Sequence, residues 1–146
     1  MSKKNNNALF YTCSLIEYVG RANLLERSTV VKLFGEEIIR RIYNFSDVFH
    51  SEPIEKVADE FITESNLKHG SFDSEAECVF TVPDYWTIGQ VYERLIEDVS
   101  GEDNILEILM EVYTSWIDKY LSNYNIAVYY QSREYIAQCY KAGNIL

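Results

Sequence analysis

The chain has 146 residues, 13 Lys+Arg against 23 Asp+Glu, a formal charge of −10 and a pI of about 4.6. Hydrophobic residues make up 47%, enough for a buried core and too much for a disordered chain, and six Gly and two Pro leave no room for a low-complexity body. No run reaches the roughly 18 to 20 consecutive apolar residues that a membrane-spanning helix needs.

The opening residues 1–7 (MSKKNNN) read as a disordered polar tail, and no signal-peptide cleavage pattern follows them. From Ala8 the periodicity is helical, with Leu9, Cys13, Ile16 and Gly20 on one face and Tyr11, Thr12, Glu17 and Arg21 on the remainder. Ser28-Thr29 is an N-cap pair for Val30, Val31, Leu33 and Phe34, and Gly35 stops or kinks that helix. Glu36–Arg40 and Glu37–Arg41 are spaced as i,i+4 pairs, with Ile38, Ile39, Ile42, Tyr43 and Phe45 as the buried side. Ser51-Glu52-Pro53 opens the clearest stripe, Ile54, Val57, Ala58, Phe61 and Ile62, at i, i+3, i+4, i+7 and i+8.

Residues 65–77 are polar and read as a loop. Cys78 to Val82, closed by Pro83, reads as a short strand or extended segment, with Gly70-Ser71-Phe72 as its nearest pairing candidate. Thr87 is placed to cap a helix carrying Ile88, Val91, Tyr92, Leu95, Ile96 and Val99. Asn104 caps the next, whose inward side runs Ile105, Ile108, Leu109, Val112, Trp116, Ile117 and Tyr120. Ser132 caps the last, with Tyr135, Ile136, Cys139 and Tyr140, and Gly143 ends it. The fold class is therefore mainly α: a compact multi-helix bundle with at most one short β-hairpin or extended segment near 70–82. Its segments are a tail (1–7), an N-terminal helical bundle (8–64), a loop with a short strand (65–84) and an acidic, tyrosine-rich helical part (85–146), together one compact unit.

Charge is unevenly placed. Residues 1–73 hold 9 basic and 11 acidic side chains, and residues 74–146 hold 4 and 12. Asp103, Glu107 and Glu111 are spaced by four and Asp118 is seven further on, which places all four on one side of a single helix. Glu93, Glu97 and Asp98 lie on the helix before, and only Arg94 and Lys119 answer them locally. Acids at i,i+4 repel by a few tenths of a kcal/mol each, a cost a basic partner offsets, and such a stripe can mimic duplex phosphates. Nine of twelve tyrosines follow residue 84, and Tyr129-Tyr130 cannot both point inward from a helix. Tyrosine suits interfaces because it combines large contact area with few rotors. Base stacking would need a basic groove beside it, which this half lacks.

The expected function is that of a non-enzymatic acidic binding protein. Its partner-binding residues are Glu93, Glu97, Asp98, Asp103, Glu107, Glu111, Asp118, Tyr129 and Tyr130, and its partner is a basic protein, a nucleic-acid-binding one being one such case. No cofactor, metal or catalytic residue is expected, and a homo-oligomer fits the same residues. Two alternatives stay open. Residues 28–45 suit a helix-turn-helix DNA-binding regulator loosely, with Arg21, Arg27, Lys32, Arg40 and Arg41 in reach, although Glu17, Glu26, Glu36 and Glu37 nearly cancel them. Asp47 and His50, three apart with Glu52 nearby, could transfer a proton or bind a metal. There is no G-x-G-x-x-G, Walker loop, G-x-S-x-G or H-E-x-x-H. Cys13, Cys78 and Cys139 have no metal spacing and read as reduced thiols of a cytoplasmic protein.

Phe10-Tyr11, Cys13, Ile16-Glu17-Tyr18, Val30-Val31, Leu33-Phe34, Ile42-Tyr43, Asp47-Val48-Phe49-His50, and Val57 with Asp59-Glu60-Phe61-Ile62 carry a resemblance over residues 8–64. Together they resemble a family of short helical domains of unknown function, found mainly in gut Firmicutes and often near ADP-ribosyltransferase-like proteins of a toxin type. The chain departs from that family by lacking a Gly turn after His50 and by its 80-residue C-terminal part. The resemblance implies a bacterial or mobile-element origin and a small accessory role, with no catalytic residue to carry over.

Overall fold

Helices α1 (Asn6–Asn23) and α5 (Tyr85–Val99) pack along each other in opposite chain directions, and everything else is arranged round that pair. The computed structural model describes residues 5–73, 75–76, 82–123 and 131–146, and among them forms helices only. The α1–α5 register is visible in three places. Tyr18 meets Tyr85, Ser14 meets Gly89, and the start of α1 lies beside Glu97. Helix α2 (Arg27–Asn44) covers another side of α1, and α3 (Ser46–Phe49) and α4 (Ile54–Ser65) pack on both. Helix α6 (Ile105–Tyr113) packs on α2 and α5, α8 (Arg133–Ala142) packs on α5, and α7 (Asp118–Leu121) is a single turn between them.

Because α1 is enclosed, it is buried on nearly every side. Tyr11, Thr12 and Glu17, expected on its outer side, are as buried as Leu9, Cys13 and Ile16. Its start also differs from expectation. Asn5 is the N-cap, its Oδ1 accepting from the Ala8 N–H at 3.1 Å, and its own N–H donates to the Tyr43 hydroxyl at 2.7 Å, so Asn5–Asn7 begin the helix rather than trail from it. Residues 1–4 lie outside the described residues.

Other ends were read correctly or missed by a turn. Gly35 does kink α2, at φ 73°, a left-handed conformation that glycine adopts without a Cβ penalty. Helix α2 starts at Arg27 rather than at a Ser28-Thr29 cap, and Glu26, its N-cap, makes no side-chain cap bond. Ser51 does not cap α4; its hydroxyl donates to the Val48 carbonyl. Helix α5 is capped by Asp84, which accepts from the Thr87 N–H at 2.7 Å. Phe45, expected in the core, falls after the last turn of α2 and is 54% exposed. Ser132 and Gly143 cap α8 as expected.

The stripe read as one helix from Ile105 to Tyr120 is broken. After Tyr113 the Thr114 hydroxyl donates to the Met110 carbonyl and the Ser115 hydroxyl to the Val112 carbonyl. These local bonds compete with the helical ladder, and the chain turns before α7. The expected strand at 78–82 falls almost wholly outside the described residues. Its proposed partner segment is engaged elsewhere: the Gly70 and Phe72 N–H groups donate to the Asn23 and Leu24 carbonyls.

Candidate functional site

The acidic residues singled out by sequence separate into three environments. Glu107 and Glu111 on α6, with Glu102 and Asp103 just before it, are exposed, and none has an ion-pair partner among the described residues. Glu111 alone is engaged otherwise: burial first, then a hydrogen bond to its carboxylate, raise the pKa of the Tyr140 hydroxyl on α8.

Glu97 and Asp98 are answered across space by Arg133, a partner 35 residues from Asp98. Its Nε donates to Asp98 Oδ2 at 3.0 Å and its Nη2 to Asp98 Oδ1 at 2.7 Å, with Glu97 at 3.7 Å. This fork ties α8 to α5. Glu93 stands beside Glu97 and is pushed up to about 7, by burial first and then by that neighbouring carboxylate. Two carboxylates one turn apart with partial burial share a proton more readily than they hold two charges.

Asp118 is not on the α6 side at all. It is 6% exposed, accepts a hydrogen bond from the Tyr92 hydroxyl, and sits within the field of Arg27. Tyr92 in turn stacks on Tyr113, ring centroids 4.3 Å apart and 7° from parallel. Burial lifts the Asp118 carboxyl to about 6. A carboxyl raised in this way favours the folded state while protonated. Its contribution is present below the ordinary 3.8 and is lost as pH rises through about 6. Moving it from 3.8 to about 6 costs the folded state about 3 kcal/mol at pH 7.5. Asp118→Asn keeps an acceptor for Tyr92 and removes the charge. It is therefore expected to stabilise the protein by about 2–3 kcal/mol at pH 7.5 and to lose that advantage toward pH 4. Urea unfolding of both proteins at several pH values checks it; an equal or lower stability of the variant at pH 7.5 contradicts it.

A second ionic site was not foreseen. Glu17 is 1% exposed, and both its oxygens are engaged: Arg27, 2% exposed, donates to each, and Arg21 Nε donates to Oε2 at 2.7 Å. Burial would raise the Glu17 carboxyl, but Arg27 and then Arg21 outweigh it and hold the carboxyl below its usual value. Arg21 also donates to the Pro83 carbonyl, which fastens the segment entering α5 to α1.

Among the described residues, two adjoining clefts lie beside the start of α1. One, of about 560 Å³, lies between the start of α1 and the α2–α3 corner, lined by Asn5, Asn7, Phe10, Tyr43, Ser46, Asp47 and His50 among others. The other, of about 470 Å³, lies between Asn5–Asn7, Glu97 and Glu102. A run of rings backs the first: Phe10 and Trp86 at 5.5 Å, His50 stacked on Trp86 at 5.9 Å, and Tyr11 at 5.2 Å from His50. The pairing of Asp47 with His50 reaches this cleft, but Asp47 Oδ1 accepts from its neighbour's backbone, the Val48 N–H, at 3.1 Å. Among the described residues no group of three or more His, Cys, Asp or Glu side chains is placed to hold a metal ion.

The cations of the helix-turn-helix reading are largely engaged: Arg40 pairs with Glu36, and Arg41 makes a two-pronged pair with Glu64 of α4 rather than with Glu37. Cys13 and Cys139 are buried free thiols, and burial first of all pushes Cys13 up to about 12. Cys78, Tyr129 and Tyr130 lie outside the described residues. Among the described residues no helix is long and apolar enough to cross a membrane. No protein-family model, curated protein or solved structure matches the chain.

Proposed function

We propose that this protein is a non-catalytic binding protein that docks the acidic side of α6 on a basic protein surface, acting stoichiometrically as an inhibitor, antitoxin or nucleic-acid mimic does. The observation that supports this reading is the contrast between its carboxylates. Those of Glu17, Asp98 and Glu64 are each matched by an arginine, whereas Glu102, Asp103, Glu107 and Glu111 stand exposed together with no ion-pair partner among the described residues. A chain of formal charge −10 attracts cationic partners over about a Debye length, and an unpaired patch is where that field is least compensated.

The test is charge reversal of the patch. Wild-type protein on a column should retain basic proteins from a nuclease-treated bacterial lysate and release them along a salt gradient. The Glu107→Lys/Glu111→Lys double variant should retain none of them, with its melting temperature within about 2–3 °C of wild type because both positions are exposed. Retention of the same proteins by the variant sinks the acidic-face reading.

A further inference from the structure

We infer that α7 is a proton-operated latch over the stacked Tyr92–Tyr113 pair, held shut while the Asp118 carboxyl carries a proton and opening more often once it is charged.

The latch is a piece of chain that cannot hold itself. Helix α7 is a single turn of four residues, and a helix of that length has no stability of its own in water. The bonds that Thr114 and Ser115 make just before it part it from α6, so that helix does not carry it either. It is held by what it and the residue before it bury, which is Ile117, Leu121 and the carboxyl of Asp118. The two apolar anchors are indifferent to pH. The carboxyl is not, and its charge decides how well the turn sits.

What surrounds Asp118 favours its neutral form. From α5 the Tyr92 hydroxyl donates to it, a neutral partner. From α2 the charge of Arg27 reaches it, but Arg27 donates from Nε and Nη2 to Glu17, and Asp118 makes no ion pair among the described residues. Glu26, at the N-cap of α2, and Glu17 of α1 oppose its ionisation with charge of the same sign. On its own turn Lys119 is exposed and lies over the Tyr120 ring, 5.5 Å from the centroid, rather than pairing with it. With the turn shut, an ionised Asp118 is a buried charge that a hydroxyl alone contacts; with the turn open, the same charge is hydrated. Burial is the largest cause of its raised value, about 6 against 3.8 when free. The shut turn therefore holds the proton over a range where the open turn has lost it. Opening grows more frequent as pH rises from near 3.8 to about 6, and levels off above that.

The test is amide hydrogen exchange in the full-length protein at about pH 5 and about pH 7.5, corrected for the intrinsic rate at each pH. The reporters are the Tyr120, Leu121 and Ser122 N–H groups, which donate to the Ile117 and Asp118 carbonyls. Amides 13–19 of α1 report opening of the whole bundle. The reporters should be less protected than the α1 amides at both pH values, and their protection should fall about tenfold between them. In Asp118→Asn that fall should shrink to under about twofold. Tyr92→Phe keeps the ring and removes the hydroxyl. It should lower protection more at the higher pH, because a hydrogen bond to a charged carboxylate is the stronger one. Protection equal to that of α1 would mean that the turn opens only with the whole bundle. A fall absent from the wild type, or equally large in Asp118→Asn, would mean that Asp118 does not set it. Each of these outcomes overturns the latch.

Discussion

Glu17→Ala is expected to cost about 3–5 kcal/mol of unfolding free energy. The reason is what it leaves behind. Arg27 is 2% exposed and cannot shed its proton, so removal of the carboxylate strands a guanidinium charge inside the bundle, with the Arg21 charge beside it. Glu36→Ala removes a carboxylate from an arginine pair of ordinary i,i+4 geometry, but both partners there are about half exposed, and its cost should stay under about 1 kcal/mol. The two substitutions are chemically identical and differ in burial and in the number of arginines left behind, two at Glu17 and one at Glu36, so urea unfolding of both compares a buried site with an exposed one.

A further double variant separates charge from packing. Glu17→Leu with Arg27→Met removes the buried pair together and should recover most of the loss, because two well-packed apolar side chains substitute for an ion pair whose attraction is spent on its own desolvation. The pH dependence has a definite sign. Glu17 is depressed by Arg27 and Arg21 against its burial, so its contribution is present above the usual 4.5 and is lost as pH falls through its folded value. The gap between wild type and Glu17→Ala should therefore be full at pH 7 and narrow in acid. A loss below about 1 kcal/mol at pH 7 would mean that water reaches the arginines.

The helical architecture was legible because most helices present one side to water, and a period of 3.6 reports that. The stripe Ile54, Val57, Ala58 and Phe61 is buried as its spacing predicts. Helix α1 defeats the same rule, since neighbours cover it on several sides and Tyr11, Thr12 and Glu17 have no water to face. Nothing in the spacing of Glu17 and Arg27, ten residues apart, marks them as a buried pair rather than two surface charges.

The acidic stripe was legible only as far as its helix runs. Asp103, Glu107 and Glu111 are exposed where expected, whereas the seven-residue step to Asp118 assumes a helix that Thr114 and Ser115 end. The sign of charge in the C-terminal half is plain from composition. Which carboxylates are matched is not, because Arg133 reaches Asp98 from 35 residues away. Asn5–Asn7 illustrate the opposite error: polar composition reads as a tail, yet asparagine caps helices well, and that cap puts three amides on the wall of the cleft beside Glu97 and Glu102.

Gly89→Ala is expected to cost about 3 kcal/mol even though alanine is the better helix former by about 1 kcal/mol. A Cβ at position 89 of α5 would lie 2.2 Å from Ser14 Oγ and 2.8 Å from both the Cα and the N of Ser14. The hydroxyl can swing away; the α1 backbone cannot, so the two central helices must separate or slide. That distinction sets the decisive variant. Ser14→Ala alone should be nearly neutral or mildly stabilising, since its buried hydroxyl has no hydrogen-bond partner among the described residues. Combined with Gly89→Ala it should restore less than about half of the loss, because the contacts at 2.8 Å remain. Full restoration would show that only the hydroxyl was in the way and that the backbones are not in contact. The consequence reaches the surface, because Asn5–Asn7 belong to the start of α1 and Glu97 to the end of α5. A spacing widened at Gly89 alters the cleft between them. Amide shifts in Gly89→Ala should accordingly spread to residues 5–7 and 97–102, some two turns from the substitution, while those of the exposed α6 residues Glu107 and Glu111 stay near wild type.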